Sequence, residues 1–161
     1  MQRRQILERQ RRINQLRYQQ RYLDRLRQDQ YRLQSWRYTY APPQYRYYRS
    51  GRYYEVNQYA ADMLRQAVRA GYEEGYRAGE SDREDRWRNL DYQNSFAYQD
   101  ATYGYNGYYV ELPEYRYYFR EGFRRGYEDG YYGRSTYGTY SNGVFSLLGN
   151  VLAGILNLQS Y

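Results

Sequence analysis

Twenty-eight tyrosines, twenty-five arginines and eighteen carboxylates carry most of the chemistry open to this 161-residue chain, which has no lysine, histidine or cysteine. The usual general bases, thiolate nucleophiles and Schiff-base amines are therefore missing. The serines are scattered, with no base beside them in sequence. The densest carboxylate group, Glu80, Asp82, Glu84 and Asp85, offers oxygen ligands for a hard cation but lacks the glycine and the ligand spacing of a calcium loop. Pairing with arginine is the better reading of it. Guanidinium is planar and forked, and it both clamps carboxylates and stacks on aromatic rings. Tyrosine adds a broad apolar face with a polar tip. These residue types point to many contacts of moderate strength, and they nominate no catalytic, cofactor-binding or metal-ligating residue. Tyrosine also admits oxidative crosslinking, which composition alone does not locate.

Charge divides the chain into three parts. Residues 1–52 hold fourteen arginines against three carboxylates, a net +11, residues 53–134 carry −4, and residues 135–161 carry no charge. A basic segment of this kind seeks an acidic partner: nucleic acid, an anionic surface, or the acidic body of another copy. No apolar run is long enough to span a bilayer, so no transmembrane segment is expected.

The periodicity predicts a mainly α fold. Residues 1–37 read as a basic helical arm, helical over 3–37, with Ile6, Ile13, Leu16, Leu23, Leu26, Leu33 and Trp36 as its apolar stripe. That stripe repeats every ten residues, about 3.3 per turn, and would cross a partner obliquely. The partner is either a neighbouring copy or the helix's own domain. Residues 38–54 read as a Tyr/Arg/Pro linker, with Pro42-Pro43 holding it extended.

An internal repeat occupies residues 55–134, where VRAGYEEGYRAG at 68–79 returns at 119–130 as FREGFRRGYEDG. Gly71, Gly75 and Gly79 thereby match Gly122, Gly126 and Gly130. Four-residue spacing puts each glycine row on one helical face. Three helical glycines cost about 3 kcal/mol against alanine. Close packing of the two helices, as a hairpin with the rings of one lying over the glycines of the other, would offset this. The first helix extends toward Trp87 and Leu90, and Pro113 opens the second. Between them, Asn106-Gly107 signals a turn joining a short β-ribbon of Tyr103, Tyr105, Tyr108 and Val110. In the uncharged tail, residues 135–161, an amphipathic helix is expected over 144–158, with Leu148, Val151, Leu152 and Ile155 among its apolar positions. It serves as an assembly helix or the central helix of the fold, or else as a terminal helix docked on the core.

The repeat text, reading YRYYFREGFRRGYEDGYY over 115–132, resembles a group of Tyr/Gly/Arg-rich bacterial envelope and secreted proteins with GYxxGYxxG-type repeats. The resemblance covers residues 59–133. It implies a bacterial, exported, non-enzymatic protein in the extracellular space or cell envelope. Met1-Gln2-Arg3-Arg4 shows no signal peptide, which leaves the cytoplasm as the alternative.

Two functions are compatible with these features. One is a structural subunit that assembles with identical subunits into a filament or surface matrix, its 1–37 arm pairing arginines with the acidic body of a neighbour. The other is nucleic-acid binding through the interleaved Arg and Tyr of residues 1–52.

Overall fold

Two helices lie against each other along their glycine rows, and the other described elements are arranged around them. The computed structural model describes residues 12–33 and 38–161. The elements in order are α1 (Ile13–Leu33), β1 (Tyr45–Arg49), β2 (Arg52–Val56), α2 (Gln58–Glu84), α3 (Phe96–Asp100), α4 (Leu112–Tyr132), β3 (Gly138–Ser141), β4 (Val144–Leu147), α5 (Gly149–Leu156) and β5 (Gln159–Ser160). The fold is mainly α. Ile6 and Trp36 of the expected stripe, and the side chain of Leu33, lie outside the described part.

Asn57 starts α2 by accepting a hydrogen bond from the Ala60 amide. Pro113 sits in the first turn of α4, and Gly133 closes that helix in the left-handed conformation. Six glycines then bring the two backbones together. A Cβ on Gly71, Gly75 or Gly79 would strike the backbone of Phe119, Phe123 or Tyr127; one on Gly122, Gly126 or Gly130 would strike Val68, Tyr72 or Tyr76. What covers each glycine is the facing backbone, and the aromatic rings stand to the side, contrary to the expectation that rings would cap the rows.

The contacts advance in the same direction on both helices, so α2 and α4 are parallel. The expected hairpin is corrected in this respect. Each contact from α2 to α4 has a counterpart from α4 to α2 at the repeat offset, which relates the two copies by a pseudo-twofold axis along the pair. Parallel neighbours need a long return connection. Residues 85–111 supply it, carrying the chain from the end of α2 back to the start of α4. α2 ends at Glu84 and does not run on through Trp87 and Leu90.

The strands form outside the segment expected to hold a β-ribbon. The segment read as a linker folds into the β1–β2 hairpin, whose turn residues Ser50 and Gly51 have φ of 52° and 80°. Positive φ at both positions matches the twist of a two-residue hairpin. β5 adds to the other edge of β1. The expected ribbon at Tyr103–Val110 does not form. Asn106 Oδ1 accepts the Tyr108 amide and the Tyr105 hydroxyl donates to the Val110 carbonyl, so the segment closes on itself. The tail helix is shorter than expected: Val144–Leu147 pairs with Gly138–Ser141 as a hairpin, and helix begins only at Gly149.

Tyrosine does much of the work of a core. Tyr18, Tyr22, Tyr47, Tyr72, Tyr115, Tyr118 and Tyr127 are buried beside Phe119, Phe123, Leu64 and Val68. Small residues Ala60, Ala61, Ala67 and Ala78 fill the gaps along α2.

Candidate functional site: tyrosine–carboxylate–arginine clasps

A buried tyrosine needs a partner for its hydroxyl, and a buried carboxylate needs several donors. Here each requirement meets the other. Four buried carboxylates on the central helices, Glu74, Asp82, Glu114 and Asp129, each accept a tyrosine hydroxyl, and each also has an arginine nearby.

Glu74 on α2 holds α1. It accepts the Tyr18 hydroxyl at 2.9 Å and the Arg25 guanidinium, with Arg77 of its own helix 3.6 Å away. Burial raises the Glu74 carboxyl above its usual value, with the two guanidinium groups and the Tyr18 hydroxyl opposing. In the last turn of α2, both carboxylate oxygens of Asp82 accept from Arg12 Nη2, at 2.8 and 2.9 Å, and Asp82 also accepts the Tyr127 hydroxyl of α4. Its carboxyl is also raised, first by burial. The Arg12 guanidinium lies 4.3 Å over the Trp87 ring. Asp85 completes the attachment by accepting the amides of Asn14 and Gln15, both at 2.9 Å, in the first turn of α1.

Glu114 in the first turn of α4 holds the sheet. It accepts the Tyr47 hydroxyl at 2.8 Å and Arg49 Nε at 3.0 Å, both from β1. Burial alone would raise this carboxyl, but the Arg49 and Tyr47 bonds outweigh it and hold it below its usual value. Asp129 near the end of α4 holds the tail. It accepts the Tyr72 hydroxyl at 2.9 Å and the amides of Thr136, Tyr137 and Gly138 at 2.9–3.3 Å. The return connection is tied to α1 by Tyr22 donating to Asp100 at 2.6 Å and by Asp29 accepting the Gly104 amide at 2.9 Å. Burial pushes the phenols of Tyr18, Tyr22, Tyr47, Tyr72 and Tyr127 far up, and the neighbouring carboxylates push them further.

The cluster Glu80, Asp82, Glu84 and Asp85 is thus dispersed. Asp82 points inward to Arg12, Asp85 caps α1, Glu80 lies beside Arg83, and Glu84 faces solvent. Among the described residues no set of three potential metal-ligating side chains comes together.

The positions expected to pack helices do so, since all six glycines lie in the α2–α4 contact. The positions expected in assembly divide. α1 buries Gln15, Tyr18, Tyr22 and Asp29, and leaves Ile13 49% and Leu16 38% exposed. Leu23 and Leu26 are half-buried, Leu26 against the core. α1 therefore docks on its own domain by its tyrosine face, and Arg12 just before it and Arg25 within it pair inside the chain. In the tail, Leu152 is buried and Val151 and Ile155 are half-buried, while Leu148 is 38% exposed. α5 is a terminal helix docked on the core.

A second surface lies on the segment expected to be a linker. The outward face of the β1–β2 hairpin carries Arg46 opposite Glu55 and Tyr48 opposite Tyr53. The signal for it was present in YRYYRSGRYYEV, two short Tyr/Arg runs around Ser50-Gly51.

Among the described residues no helix is long and apolar enough to cross a membrane. Comparison with known proteins found no matching family model, no similar curated protein and no similar solved structure.

Proposed function

We propose that this protein is a non-enzymatic structural subunit that associates with identical subunits into a homopolymer, a filament or surface matrix. The observation that carries this reading is the orientation of α1. It buries polar Gln15 and Asp29 and turns Ile13 and Leu16 outward. A chain poor in aliphatic residues leaves some of them on the surface of its most basic helix. Val144, 62% exposed on β4, and Leu148 give a second outward aliphatic site. Two different sites on one subunit permit heterologous contacts, which close into rings or continue as filaments. The buried carboxylates support a structural role because phenol and guanidinium groups occupy them as fold-holding clasps. An extracellular or envelope setting remains part of the proposal through the repeat resemblance.

The test is assembly itself. Sedimentation and electron microscopy of the purified chain should show polymers, and Leu16→Glu combined with Ile13→Glu should shift the material toward monomer without changing its helical content. Monomeric wild-type protein at high concentration would end this reading.

Nucleic-acid binding is the second reading, favoured by the outward Tyr48, Tyr53 and Arg46 and by exposed Arg17, Arg21 and Arg27 on α1. It requires single-stranded RNA affinity that falls steeply with salt.

A further inference from the structure

We propose that Tyr48 and Tyr53 form an oxidative coupling site, which a peroxidase-type one-electron oxidant converts into an intrachain dityrosine across the β1–β2 hairpin. The coupling joins two residues of one chain and needs no second subunit.

Three observations place the site here. First, the two residues are directly opposite in the ladder, and their ring centroids are 5.0 Å apart at 60°. The two-residue turn is closed by Arg49 and Arg52, so Tyr48 and Tyr53 form the next, non-hydrogen-bonded pair, in which Cβ atoms approach to about 4.5–5.5 Å. That separation suits two rings joined at their ortho carbons. Second, both rings are open to an oxidant, Tyr48 being 57% and Tyr53 62% exposed. Third, the other close pairs are less suited. Tyr47 and Tyr54 stack at 4.9 Å, but Tyr47 is 2% exposed and its hydroxyl is given to Glu114. Tyr38 and Tyr108 are both exposed, yet lie 6.3 Å apart and are not held opposite each other by a ladder.

The chemistry balances with hydrogen peroxide as the oxidant and a haem peroxidase as the catalyst. Each phenol gives up one electron and one proton and becomes a phenoxyl radical with spin density at its ortho carbons. Coupling forms one carbon–carbon bond between those carbons. As the rings rearomatise, the two ortho C–H bonds break and the phenol oxygens are reprotonated. The two electrons and two protons lost overall reduce one peroxide to two waters. The product ties β1 to β2 beside their turn and fixes the outward aromatic face.

The experiment oxidises the dilute, folded chain with peroxidase and hydrogen peroxide and maps the products after tryptic digestion. Cleavage after Arg46, Arg49, Arg52 and Arg65 separates Tyr48 in peptide 47–49 from Tyr53 in peptide 53–65. The expected product is these two peptides joined with the loss of two hydrogens, recovered from monomeric protein with dityrosine fluorescence. Tyr48→Phe and Tyr53→Phe each abolish it, and Tyr54→Phe leaves it intact. Both lost hydroxyls are on the surface, so circular dichroism of these variants should match the wild type. The proposal is overturned if dityrosine accumulates at other tyrosines while 47–49 and 53–65 stay unlinked. It is equally overturned if the linked product survives Tyr48→Phe and vanishes in Tyr54→Phe, or if no dityrosine forms.

Discussion

A methyl group placed on Gly75 would lie 2.0 Å from the carbonyl oxygen of Phe123. No rotamer change relieves that contact, because the obstacle is backbone. Gly75→Ala must therefore force α2 and α4 apart, and overpacking outweighs the helix-propensity gain of about 1 kcal/mol. We expect a net loss of about 2 kcal/mol in urea denaturation. Gly154 in α5 supplies the contrast, having nothing within 4 Å of a built Cβ. Gly154→Ala should stabilise by about 0.5–1 kcal/mol.

Glu114→Gln removes the charge that Arg49 meets. The carboxylate side chain is 4% exposed and the guanidinium 21%, so the variant leaves a largely buried cation without its counter-charge. The expected loss is about 3 kcal/mol at neutral pH. Amide exchange should rise in β1 and β2 before it rises in the α2–α4 pair.

The acid dependence of stability separates two kinds of carboxylate. Glu114 is held below its usual value, so its contribution is present above the unfolded-state pKa of about 4.3 and is lost as pH falls through the folded value. Glu74 is raised, so ionisation favours the unfolded chain as pH climbs from about 4.3 through the folded value. Relative to wild type, Glu114→Gln should therefore become progressively worse as pH rises through the acid range, and Glu74→Gln should become progressively better. Urea denaturation across a pH series reads both slopes.

Tyr72→Phe removes the hydroxyl that reaches Asp129 and nothing else. The repeat already performs this exchange, since Phe123 occupies the matching position in α4. Loss of a hydrogen bond to a buried charge should cost about 1.5–3 kcal/mol. The amides of Tyr137 and Gly138, which share the Asp129 carboxylate, should exchange faster while those of α2 near Leu64 stay protected.

How much of this was legible in sequence varies by element. The glycine rows were, because a backbone contact demands the absence of Cβ and four-residue spacing assigns the face. Their relative direction was not: such a row reads alike from either end. The Ser50-Gly51 hairpin was legible in principle, but its flanking Tyr/Arg runs resemble low-complexity linker as much as strand. In α1 the aliphatic stripe drew attention away from Tyr18 and Tyr22. Those residues are buried because Glu74 and Asp100, 56 and 78 positions away, take their hydroxyls.

A mainly α chain with two glycine-faced helices that must touch, rich in phenol and guanidinium groups seeking partners, is written in the residue order alone. That those helices run parallel, which phenol meets which carboxylate, and which face of α1 turns inward emerge when the chain packs. The difference is one of range. Helix faces follow from spacing within a few residues, whereas a buried charge is satisfied only when distant segments arrive together.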